Sequence, residues 1–327
     1  MSGESIAEHA TDRPHDGGVN SITPLKVAVS ARSLFDLEES HSVFELEKNL
    51  DAYLAHARSR QEEPLAPAAA FPLMRALLNL NKLVPQSTPL VDATIVSSIH
   101  PQAGLRIINS LAHHDLPIKR TTFTGGAPTV PYLKAYGVDL FLSKSAEDVQ
   151  QAVNAGIAAA VMYDTPKDGA PLFDDFQIKL AIDGDAVIFT DASERIYKAG
   201  GENGLRDFLE HEHMMAREPL EEGPFAKMLR VIASLQAVRI DGRKPFRIIL
   251  VTARGGNSRE RVLRTFDAWG MEIDEIHFLS GFKKAPILQV IRPHIFFDDQ
   301  EVHVGPASQI VPSGLVPWIE KSGDKAA

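Results

Sequence analysis

The chain is predicted to be α/β, with a parallel sheet whose strand ends carry polar clusters, and to contain that unit twice. Two observations predict this. Continuous apolar runs, Leu180-Ala181-Ile182, Ile248-Ile249-Leu250-Val251 and Ile295-Phe296-Phe297, each stop at a polar cluster. Such runs read as strands covered on both faces. The second observation is that the chain is similar to itself at a nearly constant offset, which points to a duplicated unit.

The clusters suit one kind of chemistry. Asp183-Gly184-Asp185 ends the first run and opens into another, Ala186-Val187-Ile188-Phe189. Two carboxylates one residue apart repel, so the pair calls for a cation, a shared proton or a reaction. The second run ends at Thr252-Ala253-Arg254. A hydroxyl and backbone N–H groups at a strand-to-helix turn suit a phosphate. Phe278-Leu279-Ser280-Gly281 then leads to Lys283-Lys284, cations available to a dianion. The third run ends at Asp298-Asp299, hard oxygen ligands of the kind Mg²⁺ prefers. Open α/β sheets place their sites at such strand ends.

The order DGDAV, VTAR, a lysine, then FFDD resembles the haloacid-dehalogenase (HAD) superfamily of phosphatases. More closely, it resembles the cytosolic type-I 5′-nucleotidases. The strings Ala181–Val187, Leu250–Arg254 and Arg292–Gln300 are similar to that family's own, as are Val27–Arg32 and Tyr132–Tyr136. The resemblance implies a HAD-like Rossmannoid sheet with a small helical cap. It implies hydrolysis of nucleoside 5′-monophosphates through an aspartyl-phosphate, with Mg²⁺ as cofactor. Asp183 is then the nucleophile. Asp185 is the acid and base, and its backbone carbonyl touches the metal. Thr252, Ala253 and Arg254 bind the phosphoryl group. Lys284, rather than Lys283, stabilises charge beside Asp183. Asp298 and Asp299 complete a metal set with Asp183 and Asp185. Two other readings fit the same motifs: a phosphatase of another small phosphometabolite, and a non-catalytic nucleotide-binding sensor.

The repeat pairs Leu50–His56 with Leu205–His211, Glu63-Pro64-Leu65 with Glu218-Pro219-Leu220, and Val96-Ser97 with Val251-Thr252, all at an offset of 155. Lys26–Val29 pairs with Lys179–Ile182 at 153, and Phe71 and Met74 with Phe225 and Met228 at 154. The expected organisation is a disordered polar tail over 1–22, one copy over 23–170 and a second over 171–327. Under this alignment the first copy has Ser30 for Asp183, Arg32 for Asp185, Thr129 for Lys284, Ser143 for Asp298 and Lys144 for Asp299. Lacking every carboxylate, it is expected to be non-catalytic. Arg32 and Lys144 are candidates for binding an anion such as an effector nucleotide.

In the second copy a helical insert is expected over about 196–244. Leu205, Phe208 and Leu209 recur at helical spacing, as do Met228, Leu229, Ile232 and Leu235. An insert after the nucleophile strand resembles the superfamily's cap, and Glu202–Gly204 reads either as part of a mobile entrance or as a plain surface loop. His211 and His213 do not share a helix face, so they read as surface residues rather than a metal pair. Trp269 and Trp318 read as packing residues.

Composition narrows the partners. A net charge of −9 and a pI near 5.7 argue against a nucleic-acid surface. No apolar run has the length of a bilayer span, and no signal-peptide pattern opens the chain. With no cysteine there is no disulfide framework. A cytoplasmic protein acting on a small-molecule substrate is expected, and the superfamily resemblance adds association into a homo-oligomer.

Overall fold

The apolar runs line up as neighbours in one sheet. The computed structural model describes residues 22–39, 50–164 and 177–319. The N-terminal polar stretch and the expected junction at 170–171 lie outside them. The elements of the first part are β1 (Leu25–Val29), α1 (Ala31–Leu34), α2 (Leu50–Ser59), α3 (Phe71–Leu80), β2 (Val91–Ser97), α4 (Gly104–His113), β3 (Arg120–Phe123), α5 (Val130–Tyr136), β4 (Leu140–Ser143), α6 (Ala146–Asn154) and β5 (Ala158–Tyr163). Those of the second are β6 (Ile178–Ile182), α7 (Ala192–Ala199), α8 (Gly204–Met214), α9 (Ala226–Leu235), β7 (Phe246–Thr252), α10 (Ser258–Trp269), β8 (Glu275–Phe278), α11 (Lys284–Ile291), β9 (Ile295–Asp298), α12 (Glu301–Ser308) and β10 (Ser313–Leu315).

Ten strands form one sheet in the order β3-β2-β1-β4-β5-β10-β9-β6-β7-β8. Neighbours pair in parallel except β5 with β10, which run antiparallel. Outward from that joint the order is β5-β4-β1-β2-β3 on one side and β10-β9-β6-β7-β8 on the other. Local bonds recur in the same way. Arg106 Nε donates to the Glu63 carbonyl at 2.9 Å, and Arg261 Nε donates to the Glu218 carbonyl at 2.9 Å. The Leu65 amide donates to Ser110 Oγ and the Leu220 amide to Thr265 Oγ1, each at 3.0 Å.

Strand alternation sorts the side chains into two layers. Val27, Val29, Leu142, Leu180, Ile182, Leu250 and Phe297 face one continuous core, covered by α3, α4, α9 and α10. On the other face the core is divided. Ala28, Val96 and Phe141 pack under α5 and α6, whereas Ala181, Ile249, Val251 and Phe296 pack under α11 and α12. The helical insert differs from its expected extent in one respect. Met228, Leu229, Ile232 and Leu235 of α9 are buried in the continuous core beside Ile248 and Leu250. A helical stripe shows only that one face is apolar. Here that face meets the sheet, so α7 and α8 are left as the part that stands over the strand ends.

The joint between the two sides is tight. A Cβ at Gly314 of β10 would lie 2.8 Å from Ala160 Cβ and 3.2 Å from two ring atoms of Phe297. Gly314→Val is expected to cost about 1–3 kcal/mol through overpacking. A urea midpoint equal to that of the unaltered protein would contradict this account of the joint.

Candidate active site

The site is built from strand ends that the register places side by side. Ile182 is level with Phe297 across β6 and β9, and with Leu250 across β6 and β7. One step past the β6 end, the Asp183 amide donates to the Phe297 carbonyl at 2.8 Å. Asp183, Thr252 and Asp298 are thereby carried to one edge, all nearly inaccessible to solvent. After Asp183 the chain closes a tight turn over Gly184–Ile188, tied by the Phe189 amide on the Gly184 carbonyl at 2.9 Å. Ala186 adopts φ +60° there. Left-handed backbone at a residue with a Cβ costs on the order of 1–3 kcal/mol and is typical of functional turns.

Lys284, the first residue of α11, supplies the ammonium, whereas Lys283 is exposed. Lys284 Nζ lies 2.6 Å from Asp183 Oδ1 and donates to Asp298 Oδ2 at 2.6 Å. Burial opposes its charge, but the Asp183 and Asp298 carboxylates hold its pKa above the ordinary lysine value. Burial also works against the Asp298 charge; Lys284 and His303 nevertheless hold that carboxyl below its ordinary value. Asp298 Oδ1 accepts from the Gln300 amide at 2.9 Å and lies 3.3 Å from His303 Nδ1.

Asp183, Asp298 and Asp299 each offer an oxygen within 4.8 Å of the others. Fully ionised, three carboxylates against one lysine would carry a net negative charge. Asp299 Oδ1 is buried and has no hydrogen-bond partner among the described residues. A buried orphan oxygen beside two further carboxylates fits a hard divalent cation such as Mg²⁺. The Asp185 side chain lies apart from this set, because Arg254 takes both of its oxygens.

Arg254, expected to bind the phosphoryl group, has its side chain engaged by two carboxylates. Its side chain is buried and turned inward, with Nε on Asp185 Oδ2 at 2.8 Å and Nη2 on Asp185 Oδ1 at 2.6 Å. Nη1 pairs with Glu212 Oε2, and Phe208 lies 5.4 Å from the guanidinium carbon. Thr252 Oγ1 accepts from the Arg254 amide at 3.2 Å, and Ala253 is exposed at the same turn. The strand-end motif could not reveal that the arginine serves a neighbouring carboxylate.

Four participants carry no sequence signal. Glu212 sits on α8 between the two histidines and is fully buried. Its Oε1 accepts from Arg261 Nη1 at 2.8 Å and from Ser193 Oγ at 2.7 Å. His303 faces Asp298 from α12. Trp318, expected to be a packing residue, donates its indole N–H to Asp299 Oδ2 at 2.7 Å. Glu194 lies close enough to Asp299 to raise its pKa. None belongs to a motif, so only three-dimensional contact reveals them.

The corresponding positions of the first half are closed locally. Ser30 Oγ accepts from the Ser33 amide and caps α1. Thr129 Oγ1 donates to Asp148, and Ser143 Oγ accepts from the Ser145 amide. Arg32 and Lys144 converge on Glu38, each at 3.2 Å, and Lys144 also pairs with Asp164 at 2.9 Å.

A mainly parallel α/β sheet with a buried, lysine-bridged acidic cluster at adjoining strand ends defines the general class. The chain belongs to the 5′-nucleotidase family, whose model matches residues 19–323. It is 38% identical over 300 residues to human cytosolic 5′-nucleotidase 1B, covering 89% of this chain and 48% of that protein. The chain thus spans about half the length of this curated relative. No solved structure gives a significant match. No helix among the described residues is long and apolar enough to cross a membrane.

Two predictions follow from the buried charges. Glu212→Ala takes the carboxylate partner from the Arg261 guanidinium and leaves that of Arg254 held by Asp185 alone, on side chains that are 9% and 2% exposed. The expected loss is about 3–5 kcal/mol, read from the urea midpoint; an unchanged midpoint would show that the network is not holding α8. Separately, burial raises Asp183 to about 7, opposed by Lys284 and reinforced by Asp298 and Asp185. Burial, with Asp183, Asp298 and Glu194 adding, raises Asp299 to about 8. The folded protein keeps protons there that the unfolded chain releases near pH 4. Their stabilisation in metal-free protein is full below about pH 4 and is lost as pH rises through about 7 to 8. The melting temperature of metal-free protein is expected to fall across that window, and less so in Asp299→Asn. Equal slopes in the two proteins would count against a protonated Asp299.

Proposed function

We propose that the chain is a Mg²⁺-dependent 5′-nucleotidase that hydrolyses nucleoside 5′-monophosphates to nucleoside and phosphate. The carrying observation is the contact of Lys284 with both Asp183 and Asp298 at the ends of β6 and β9. Membership of the 5′-nucleotidase family supports the substrate class. So does the name of the human relative, which also supports a cytoplasmic setting.

Under this reading the arrangement is that of the HAD superfamily. Asp183, Asp298 and Asp299, with the backbone carbonyl of Asp185, would hold Mg²⁺. Bound there, the ion neutralises and orients a phosphoryl dianion. Asp183 attacks phosphorus as a carboxylate, and the bond to the nucleoside 5′-oxygen breaks. Asp185 gives that oxygen its proton. The product on Asp183 is an aspartyl-phosphate, which splits one difficult step into two. Asp185, now ionised, takes a proton from water as the water attacks the same phosphorus, and Asp183 is freed. Lys284 and the Thr252 hydroxyl stabilise the charge on the phosphoryl oxygens. The Ala253 turn offers backbone N–H groups to the same oxygens. Arg254 acts one step back by orienting Asp185, and Glu212 fixes Arg254 from the cap helix α8.

The two sides of the sheet are, in this reading, copies of one ancestral unit. The matching strand order and the matching bonds at an offset of 155 support that. The first copy is non-catalytic, since hydroxyls and cations replace its carboxylates. A nucleotide effector at Arg32 and Lys144 would have to displace Glu38, which both cations already hold.

The test is phosphate release from nucleoside monophosphates and sugar phosphates, with Mg²⁺ or with EDTA. Release from nucleotides that depends on Mg²⁺ and drops at least about a thousandfold in Asp183→Asn is expected, since removing a nucleophile typically costs several orders of magnitude. Preference for sugar phosphates would favour another phosphometabolite. No release from any substrate would favour a nucleotide-binding sensor.

A further inference from the structure

The C-terminal segment beyond β10 lies across the acidic cluster. The Val316 amide donates to the Asp298 carbonyl at 2.9 Å, continuing the register of the sheet past its last strand. Two residues later, Trp318 Nε1 donates to Asp299 Oδ2 at 2.7 Å. The Trp318 carbonyl accepts from Gln150 Nε2 of α6, on the other side of the joint, at 2.8 Å. The segment is thus anchored to both halves of the molecule.

The face of the indole meets the cap. Lys198 Nζ of α7 sits 3.7 Å from the ring centroid and 2.9 Å from Glu194 Oε1 on the same helix. Glu194 Oε1 accepts from Gln300 Nε2, one residue beyond Asp299, at 3.3 Å. A single side chain therefore touches the tail, a cap helix through its ring, and a cluster carboxylate through its N–H. Packing alone accounts poorly for this placement, because Trp318 is 37% exposed.

An indole N–H can donate but cannot accept. By occupying Asp299 Oδ2, it fixes the plane of the carboxylate and leaves Oδ1, which is buried and has no hydrogen-bond partner among the described residues. We propose that Trp318 is a positioning residue of the metal site, holding Asp299 so that Oδ1 faces the cation and tying the cap helix α7 to that carboxylate through Lys198. The inference rests on the Mg²⁺ reading above. Groups that orient a metal ligand from behind commonly change metal affinity by about 10- to 100-fold when removed.

Calorimetric titration of Mg²⁺ into the full chain tests it. Trp318→Phe keeps a ring under Lys198 and removes only the donor. Its dissociation constant for Mg²⁺ is expected to rise about 10- to 100-fold, with the melting temperature in EDTA unchanged. A second measurement leaves Trp318 in place and so decides the matter even if the phenylalanine variant folds poorly. The chain has two tryptophans, so Trp269→Phe makes Trp318 the sole reporter. Mg²⁺ is expected to shift its emission, and the shift is expected to vanish when Asp299→Asn is added. Equal Mg²⁺ affinity in Trp318→Phe and the unaltered chain would overturn the positioning role while leaving the metal reading intact. So would emission that ignores Mg²⁺ which calorimetry shows to bind. An unaltered chain that binds no Mg²⁺ would overturn both.

Discussion

The contact between one ammonium and two carboxylates organises the functional end of this molecule. Lys284 is buried to 3% exposure, and its charge is tolerable only because Asp183 and Asp298 lie within 2.6 Å. Even with it, burial and mutual repulsion hold Asp183 and Asp299 above the ordinary carboxylate range, at about 7 and about 8. The desolvation of such a cluster is costly, and paired charges inside a protein seldom recover more than they lose. A polar cluster of this kind is thus poor as a stabilising device. Under the Mg²⁺-dependent reading proposed above, a bound cation would answer the buried Asp299 Oδ1, which has no hydrogen-bond partner among the described residues.

A second set of buried charges controls the neighbouring carboxylate. Asp185 is held in a two-point contact by Arg254, and Arg254 is shared with Glu212. A planar guanidinium fixes direction as well as charge. Because Glu212 belongs to α8 and accepts from Ser193 on α7, the orientation of Asp185 depends on both helices that stand over the strand ends. Trp318 extends the same logic to Asp299 from the other side. The helices over the site are tied to its carboxylates by side chains, not merely laid on top of them.

How far the sequence reached is explained by the range of the signals. Asp183, Thr252 and Asp298 were legible because each ends a continuous apolar run, and parallel strands in register must bring such ends together. Lys284 was legible only with its family spacing, since Lys283 is its chemical equal. The inward turn of Arg254 was not legible, because its partners stand 69 and 42 residues away in the chain. Glu212 lies between two histidines read as surface residues and belongs to no motif. The fate of α9 was hidden for a different reason: an apolar stripe at 3.6 spacing does not say which layer will cover it. The left-handed backbone of Ala186 gave no sign at all, since alanine is chosen against there on local grounds.

The geometry of the joint also shows what the side without the acidic cluster contributes to the fold. β5 and β10 meet antiparallel, so the inner edge of each side is paired rather than open. The remaining edges are β3 and β8, each of four residues and each carrying a charged side chain, Arg120 and Glu275. Short, charged edges resist pairing with other chains. Removing the first side would expose the full edge of β10, half of the continuous core, and the seat of Gln150 on the Trp318 carbonyl. The half with serines at its strand ends contributes to the fold in three ways. It closes the sheet, completes the shared hydrophobic layer and braces the tail that carries Trp318 to Asp299.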